Sequence, residues 1–138
     1  MPGLRICIDV DDLERGVAFY AGALGLSAGR RLGDSWVELL GAPSPIDLLA
    51  KPAGSAPTPG AESRHYGRHW TPLHLDFVIA DLDAAMVRAC SAGAKLEGEI
   101  RTAAWGRMAN LADPFGHGFC LIEFRGRGYG EMAGLTSP

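Results

Sequence analysis

The stretch Ile6–Gly25, ICIDVDDLERGVAFYAGALG, recurs in a second copy at Leu75–Gly93, LDFVIADLDAAMVRACSAG. Each copy begins with a short apolar segment, continues into an acidic helix start and ends its helical pattern at a glycine. Asp12-Leu13 aligns with Asp81-Leu82, an offset of 69 residues (81 − 12). A repeat constrains architecture before any single motif does. Because two copies are too few for a solenoid, the repeat predicts one pseudo-symmetric domain with a site between its halves.

Composition narrows the class of protein. The chain has 138 residues and 47% hydrophobic content, which predicts one domain with its own core. A net charge of −3 provides no basic surface for nucleic acid. No stretch predicts a membrane span or an apolar signal core. The three cysteines lack CxxC spacing, so we expect a reducing, cytoplasmic location.

The first half of the chain is predicted to fold as strand, helix and two further strands. Alternating apolar and polar residues over 4–10 indicate a half-buried strand. Asp11 or Asp12 caps the following helix, Asp11 and Glu14 resemble a capping box, and Gly25 ends the helix. A turn within 29–33 is predicted to precede strands at 35–40 and 46–50.

The second half repeats this plan. The segment 73–79 alternates as a strand, and the next helix is predicted to start at Asp81 and end at Gly93. Cys90 lies on the apolar stripe of that helix, which predicts a core position. Strands follow at 94–102, where the pattern is weak, and then at 105–111 and 118–124.

These patterns divide the single domain, 1–138, into four parts: module one at about 4–51, a linker at 52–72, module two at 73–125 and a tail at 126–138. Proline and glycine without periodicity mark the linker. Its end, 64–70, is rich in arginine and histidine and is either a lid over a site or an ordered surface loop. The tail is expected to be partly disordered at its end.

Strand alternation points to a site. The apolar face of each strand must pack under its own helix, because the helix stripe needs burial. The opposite face then carries Arg5, Cys7 and Asp9 in the first copy, and His74 and Asp76 in the second. Polar residues on a helix-free strand face predict water or a ligand cavity.

Several short segments carry a family resemblance: 10–15 with Phe19-Tyr20, 24–26, 74–77, 81–85, and Asp-Pro-Phe-Gly-His-Gly-Phe-Cys at 113–120. In this order and spacing they resemble the vicinal oxygen chelate superfamily, which includes glyoxalase I, bleomycin-resistance proteins and extradiol dioxygenases. The resemblance covers roughly residues 4–125. It implies an α+β fold in which two tandem βαβββ modules form one open, cupped, barrel-like domain. It also implies a ligand in the cup and a homodimer.

The resemblance implies four metal positions, one on the first and one on the last strand of each module. They map to Arg5, Asp47, His74 and Cys120, at repeat offsets of 69 (74 − 5) and 73 (120 − 47). Histidine, glutamate or glutamine is the family's ligand, so only His74 matches. Arg5 cannot deprotonate and so cannot ligate a cation. We therefore expect no metal cofactor; a metal, if present, is held by Asp47, His74 and Cys120.

Each of these residues keeps two interpretations. Arg5 either binds a ligand carboxylate, phosphate or enolate, or forms an ion pair with Asp47 or Asp9. His74 is either a metal ligand or a polar cavity histidine that is hydrogen-bonded or acts as an acid or base. Cys120 is either a nucleophile activated by His74 or Arg5, or an inert buried thiol, which is the commoner case. Arg5 and His74 are the catalytic candidates.

Tryptophans are the remaining ligand-binding candidates. Trp36 and Trp105 are 69 residues apart (105 − 36), which predicts equivalent places and a paired aromatic lining of the cup. The alternative for these two, and for Trp70, is a core or dimer contact.

Function is predicted as a class only. The leading hypothesis is a glyoxalase-like small-molecule-binding protein, with or without metal-free isomerase or lyase activity on a small anionic or enolisable ligand. One alternative is a metal-dependent lyase, isomerase or dioxygenase, and another is a drug-sequestering resistance protein. The sequence does not name the ligand, because one fold hosts many reactions.

Overall fold

The computed structural model describes residues 1–133, so the predicted end of the tail, 134–138, lies outside the described residues. The chain divides into two compact units, Met1–Gly67 and the unit that begins at Arg68. Each unit contains one copy of the repeat. No helix within the described residues is long and apolar enough to span a membrane.

Module one is a βαβββ unit. In chain order its elements are β1 (Ile6–Val10), α1 (Leu13–Leu24), β2 (Ser27–Leu32), β3 (Trp36–Leu40) and β4 (Ile46–Ala50). The sheet order is β1-β4-β3-β2. β1 runs parallel to β4, and the β3 pairs with β4 and with β2 are antiparallel.

Helix α1 begins and ends at the residues that the repeat indicated, with one difference. Asp12 is the N-cap, and its side chain accepts a hydrogen bond from the Arg15 N–H at 3.0 Å. The predicted capping box of Asp11 and Glu14 is therefore wrong by one position. Gly25 ends the helix in the left-handed region, at φ 70°, where a side chain would be strained.

The turn predicted within 29–33 lies later, at 33–35, because 27–32 is the strand β2. Its sequence, SAGRRL, has little alternation, and most of its residues are exposed. The strand forms by pairing with β3, and its register shifts between Ala28 and Arg31. Pairing with a neighbouring strand therefore outweighs the weak local preference of this segment.

Module two repeats the topology. Its elements are β5 (Leu75–Val78), α2 (Leu82–Ala92), β6 (Lys95–Ala103), β7 (Gly106–Ala112) and β8 (Gly118–Phe124), followed by the short α3 (Gly130–Ala133). The sheet order is β5-β8-β7-β6, with β5 parallel to β8. The predicted α+β class and the two tandem βαβββ modules are confirmed.

The core of each module lies between its helix and its sheet. In module one, a Cβ at Gly16 would lie 3.2 Å from Leu48 and 3.3 Å from Val10, so α1 packs closely on β1 and β4. In module two, Leu82 and Ala89 of α2 are fully buried. Cys90, predicted as core, is exposed, because the buried stripe of α2 follows Leu82 and Ala89 instead.

Side-chain contacts hold the second half of the predicted linker. Arg64 binds Asp9 of β1 at 2.8 Å, and the Tyr66 hydroxyl donates to the Lys51 carbonyl at 2.6 Å. Beyond the boundary at Gly67, Arg68 binds Glu97 of β6 at 2.6 Å. The boundary between the two units therefore falls within the basic segment 64–70.

Part of the predicted tail is folded. The ring of Tyr129 lies 4.8 Å from Phe124 and 5.6 Å from Trp105, measured between centroids. These contacts hold the chain beyond β8 against the β6–β7 turn.

Candidate functional site

Strand register shows which residues of the two modules are equivalent. Cys7 pairs with Asp47 in the first sheet, and Asp76 pairs with Cys120 in the second. The offsets are 69 (76 − 7) and 73 (120 − 47), as expected from the sequence. Arg5 lies two residues before Cys7, and His74 lies two residues before Asp76. Arg5 and His74 are therefore equivalent positions. By the same register Glu38, opposite Asp47, corresponds to Asn110, opposite Cys120.

The helix-free face of module one holds a cluster of four charged side chains. Arg5 Nε donates to Asp47 Oδ2 at 2.9 Å, and Arg5 Nη2 donates to Asp47 Oδ1 at 2.7 Å. Arg5 Nη2 also reaches Glu38 Oε2 at 2.6 Å. Arg30 binds both Glu38 oxygens, at 3.1 and 3.0 Å. Two cations and two carboxylates therefore balance one another.

The pKa values follow from these contacts. Hydrogen bonds from Arg30 and then Arg5 lower the pKa of Glu38 to about 2. The hydrogen bonds from Arg5 also lower the pKa of Asp47. Asp47 and Glu38 raise the pKa of Arg5 in return. All four groups are consequently charged at neutral pH.

Arg5 had two interpretations, a ligand-binding cation and a member of an ion pair. In the structure it forms the ion pair. Its partner is Asp47, whereas Asp9 pairs with Arg64. Both Asp47 oxygens accept from Arg5, and the positive charge of that guanidinium would repel a metal cation at this carboxylate. The four positions implied by the family resemblance therefore do not fit a conventional metal site, since one is a cation and another is held by that cation.

Module two has a cavity of about 280 Å³, at the small end of ligand pockets. It is lined by Arg68, Trp70, Thr71, His74, Glu97, Arg101, Met108, Asn110, Leu111, Gly118, Phe119 and Cys120. Most of these residues belong to β6, β7 and β8 or to the segment 68–74. Two predicted site residues, His74 and Cys120, thus share one cavity, while Asp47 lies with Arg5.

His74 lies between two polar partners. Its Nδ1 is 2.9 Å from Asp76 Oδ1 and 3.9 Å from Cys120 Sγ. Both contacts use the same ring nitrogen. A nucleophile–base–orienter arrangement needs the two ring nitrogens to serve different partners. The geometry therefore favours a histidine oriented by Asp76 over one that activates Cys120.

The surroundings of Cys120 keep its thiol protonated and therefore unreactive. Its Sγ donates to Asn110 Oδ1 at 3.1 Å, and the side chain is buried. Burial, followed by the negative charge of Asp76, raises the pKa of Cys120 to about 11. At neutral pH the group is a thiol, which is a poor nucleophile.

Arg101 is the cation of this cavity, and sequence reasoning missed it. Its Nη2 lies 2.9 Å from the Met108 sulfur, and within residues 1–133 it forms no ion pair. Arg68, the other arginine of the lining, is held by Glu97 at 2.6 and 2.9 Å. Arg101 lies beyond a β6 bulge, where Glu97 pairs with Asn110 but Arg101 pairs with Met108. Only the register reveals that position.

The strand register does not place Trp36 and Trp105 at equivalent positions of the two modules. Trp36 pairs with Leu49 on β4, and the equivalent position in module two is Met108, which pairs with Ile122. Trp105 lies in the β6–β7 turn and packs on the cluster of Met108, Cys120 and Ile122. Trp70 is the tryptophan that lines the cavity, and at 81% exposure it is not a core residue.

A second donor set for a metal exists within module two. His74, Asp76 and Cys120 each offer a ligand atom, and these atoms all lie within 4.8 Å of one another. Imidazole, carboxylate and thiolate are the donors that zinc accepts. Asp76, absent from the metal set predicted from sequence, replaces Asp47 in it.

Two tandem βαβββ modules, each with a polar helix-free face, define the α+β class of this protein. The family model described as Glyoxalase-like domain matches residues 5–122. The chain therefore belongs to this family, within the vicinal oxygen chelate superfamily.

The chain is similar to a protein of anthracycline biosynthesis and to a fosfomycin resistance protein. Anthracycline biosynthesis protein DauV of Streptomyces sp. (strain C5) is 32% identical over 124 residues, 83% of this chain and 38% of DauV. The chain thus spans well under half of that relative. The fosfomycin resistance protein FosX of Listeria monocytogenes superposes with a TM-score of 0.70 at 20% identity, covering 96% of this chain and 98% of FosX. One FosX structure contains Mn(II).

A further structure of the same fold is TnmS3, an antibiotic binding protein from Streptomyces sp. CB03234. Its TM-score is 0.62 at 22% identity, covering 91% of this chain and 97% of TnmS3. Likeness at this identity shows the shared fold.

Proposed function

We propose that this protein binds a small anionic or enolisable molecule in the module-two cavity, and that binding needs no metal. The observation that carries the proposal is Arg101, which lines the cavity and forms no ion pair within the described residues. Arg5, the cation favoured from sequence, is occupied by Asp47 and Glu38. The ligand-binding role therefore passes from Arg5 to Arg101.

The lining supports a ligand with one polar and one apolar side. Arg101 offers guanidinium donors for an oxygen anion. Trp70, Met108 and Phe119 supply apolar and aromatic surface in the same cavity. Asn110 uses its Oδ1 to accept from Cys120, so its amide N–H groups remain for a ligand oxygen. A small aromatic carboxylate or phenolate has this distribution of polarity.

The names of the relatives agree with small-molecule binding. DauV belongs to anthracycline biosynthesis, TnmS3 binds an antibiotic, and FosX confers resistance to fosfomycin. We extend from these only the general role, a protein that receives a small molecule. The cavity of about 280 Å³ favours a ligand smaller than most drugs.

Thermal shift tests the proposal. The probes are benzoylformate, phenyl phosphate and the cationic aromatic N-methylquinolinium. A ligand at a hundredfold excess over its Kd stabilises the fold by about 2.7 kcal/mol, which raises Tm by several degrees. We expect stabilisation by the anions and its loss in Arg101→Met. No stabilisation by either anion refutes the proposal, and stabilisation by the cation alone, unchanged in Arg101→Met, favours the drug-sequestering class.

A metal-dependent reaction is the second candidate function, favoured by the donor set of His74, Asp76 and Cys120. There a zinc-type ion would act as a Lewis acid toward the ligand. Elemental analysis of the purified protein decides between the two. About one metal per chain, lost in His74→Ala, supports the metal-dependent function and contradicts the metal-free one.

A further inference from the structure

We propose that His69 and His117 form a binding site for a divalent transition-metal ion of tetragonal geometry, Cu(II) or Ni(II). The site lies outside the module-two cavity, because neither histidine is among the residues that line that cavity. It is also distinct from the donor set of His74, Asp76 and Cys120. The inference goes beyond the proposed function, since it concerns other residues and another kind of ligand.

One nitrogen of each imidazole ring is directed toward the other ring. His117 Nδ1 is 2.8 Å from His69 Nε2, and the ring centroids are 4.8 Å apart at an interplanar angle of 80°. Because the centroids are farther apart than the nitrogens, both nitrogen atoms point into the same space. Without a metal, one nitrogen donates a hydrogen bond to the other. A metal ion that replaces the shared proton would bond to both nitrogens.

The distance between the two nitrogens indicates the coordination geometry. With metal–nitrogen bonds of about 2.0 Å, two nitrogens at a right angle in a tetragonal site are about 2.8 Å apart. In a tetrahedral site the same bonds place them about 3.3 Å apart. The observed 2.8 Å therefore matches adjacent positions around Cu(II) or Ni(II) better than the tetrahedron that zinc prefers.

Backbone hydrogen bonds hold both histidines in place before a metal binds. The His69 N–H donates to the Gly116 carbonyl at 3.2 Å. The His117 N–H donates to Asp113 Oδ1 at 2.9 Å, and the His117 carbonyl accepts from the Asp113 N–H at 2.8 Å. Because the two ligand atoms are already close together, little conformational freedom is lost when an ion binds.

The surroundings allow a cation to enter the site and favour its charge. Both histidines are partly exposed, so water and ions can reach them. Asp113 is 5% exposed, and its carboxylate places a negative charge beside His117. Arg68, the neighbouring cation, is paired with Glu97 at 2.6 Å. The formal charges of Asp113, Arg68 and Glu97 sum to −1, which favours a cation at the histidine pair.

The protein supplies two ligands to this site, and water supplies the others. Within residues 1–133, the donor set in the cavity is the one group of three or more potential ligands, so no third such side chain joins His69 and His117. An ion bound there joins the segment 68–71 to the turn 113–117. Because the same segment lines the cavity through Trp70, the ion fixes one side of that cavity.

Titration with Ni(II) tests the site. Ni(II) is the probe because, unlike Cu(II), it does not oxidise the exposed thiols of Cys7 and Cys90. The protein is treated with EDTA, desalted and titrated by isothermal titration calorimetry, and we expect about one Ni(II) per chain. His69→Gln and His117→Gln should each weaken binding by about 100-fold or more, since loss of a partner that only orients a ligand already costs about 10- to 100-fold.

Two further histidine variants are the matched controls. His65→Gln removes an exposed histidine four residues before His69, and His74→Gln removes the histidine of the cavity donor set. Both should bind Ni(II) as the unaltered protein does. Hydrogen exchange followed by mass spectrometry provides a second readout. Ni(II) should slow exchange in peptides that contain His69, and this effect should disappear in His117→Gln.

Three results overturn the inference. Absence of Ni(II) binding to the EDTA-treated protein removes the site. Loss of binding in His74→Gln, with His69→Gln unaffected, assigns the metal to the cavity donor set. An equal loss in His65→Gln and His69→Gln shows general binding to surface histidines. Circular dichroism checks the fold of each variant, and if one variant of the pair does not fold, the other carries the test. Benzoylformate binding to the same metal-free protein, measured by thermal shift, distinguishes failure of the proposed function from failure of this site.

Discussion

Replacing Arg101 with methionine is the change that separates the two arginines proposed as ligand-binding cations. Arg101 has no carboxylate partner within residues 1–133, so its guanidinium is available to a ligand anion. A hydrogen bond to a charged group contributes about 1.5–3 kcal/mol, equivalent to about 10- to 150-fold in Kd. Because Arg101 is exposed, solvent weakens the interaction, and we expect a loss near the lower limit, about tenfold.

Arg5→Met is the comparison variant, and it should behave differently. Arg5 already binds Asp47 and Glu38, at 2.7 and 2.6 Å, inside a cluster whose formal charges cancel. Its removal should change benzoylformate affinity by less than about twofold, although it leaves two buried carboxylates short of a partner. Arg101→Lys, which keeps the charge but loses the planar fork, should fall between methionine and the unaltered residue.

Isothermal titration calorimetry with benzoylformate provides these affinities. Equal affinity of Arg101→Met and the unaltered protein for benzoylformate would show that Arg101 does not bind the ligand. A tenfold loss in Arg5→Met, with the fold intact by circular dichroism, would return the ligand site to Arg5.

Three further predictions concern stability. The pKa of Glu38 is about 2 in the folded protein, below its ordinary 4.5. The ionised Glu38 therefore stabilises the fold above pH 4.5, and this stabilisation is lost as the pH falls toward 2. Glu38→Gln should flatten the pH dependence of the free energy of unfolding between pH 4.5 and 2, measured by urea titration. Gly106→Ala should destabilise by about 2 kcal/mol or more, because φ is 141° and the new Cβ would collide with the Glu123 carbonyl, whereas Gly3→Ala, with open space around it, should change stability by about 0.5 kcal/mol at most. Phe115→Ala should cost about 3–5 kcal/mol in the same titrations, because Phe115 is fully buried; a loss below about 1 kcal/mol would contradict that packing.

Local signals in the sequence were sufficient for most of the fold. Asp12, Gly25, Asp81 and Gly93 cap the two helices where side-chain hydrogen bonding and left-handed φ require those residue types. Strand β2 was not found, because its formation depends on pairing with β3 rather than on its own pattern.

The candidate site was predicted only in part. The offsets of 69 and 73 placed His74 and Cys120 correctly relative to Arg5 and Asp47, since each pair occupies equivalent strands. The same offset failed for Trp105, which falls in a turn where the two modules differ in length.

Arg101 and Asp76 are the two residues of the site whose contacts the sequence did not predict. Arg101 lies after the β6 bulge, whose register is set by contacts with β7 that no local pattern encodes. Asp76 was recognised as a polar residue of the helix-free face, but its contact with His74 depends on side-chain conformation. The ion pair that occupies Arg5 likewise requires the packing of β3 against β4.

Amide chemical-shift changes in 15N-labelled protein titrated with benzoylformate show whether the module-two cavity is the ligand site. We expect the largest changes around His74, Arg101 and Asn110, on the segments that line the cavity. Larger changes around Arg5, Glu38 and Asp47, with module two unaffected, would contradict it.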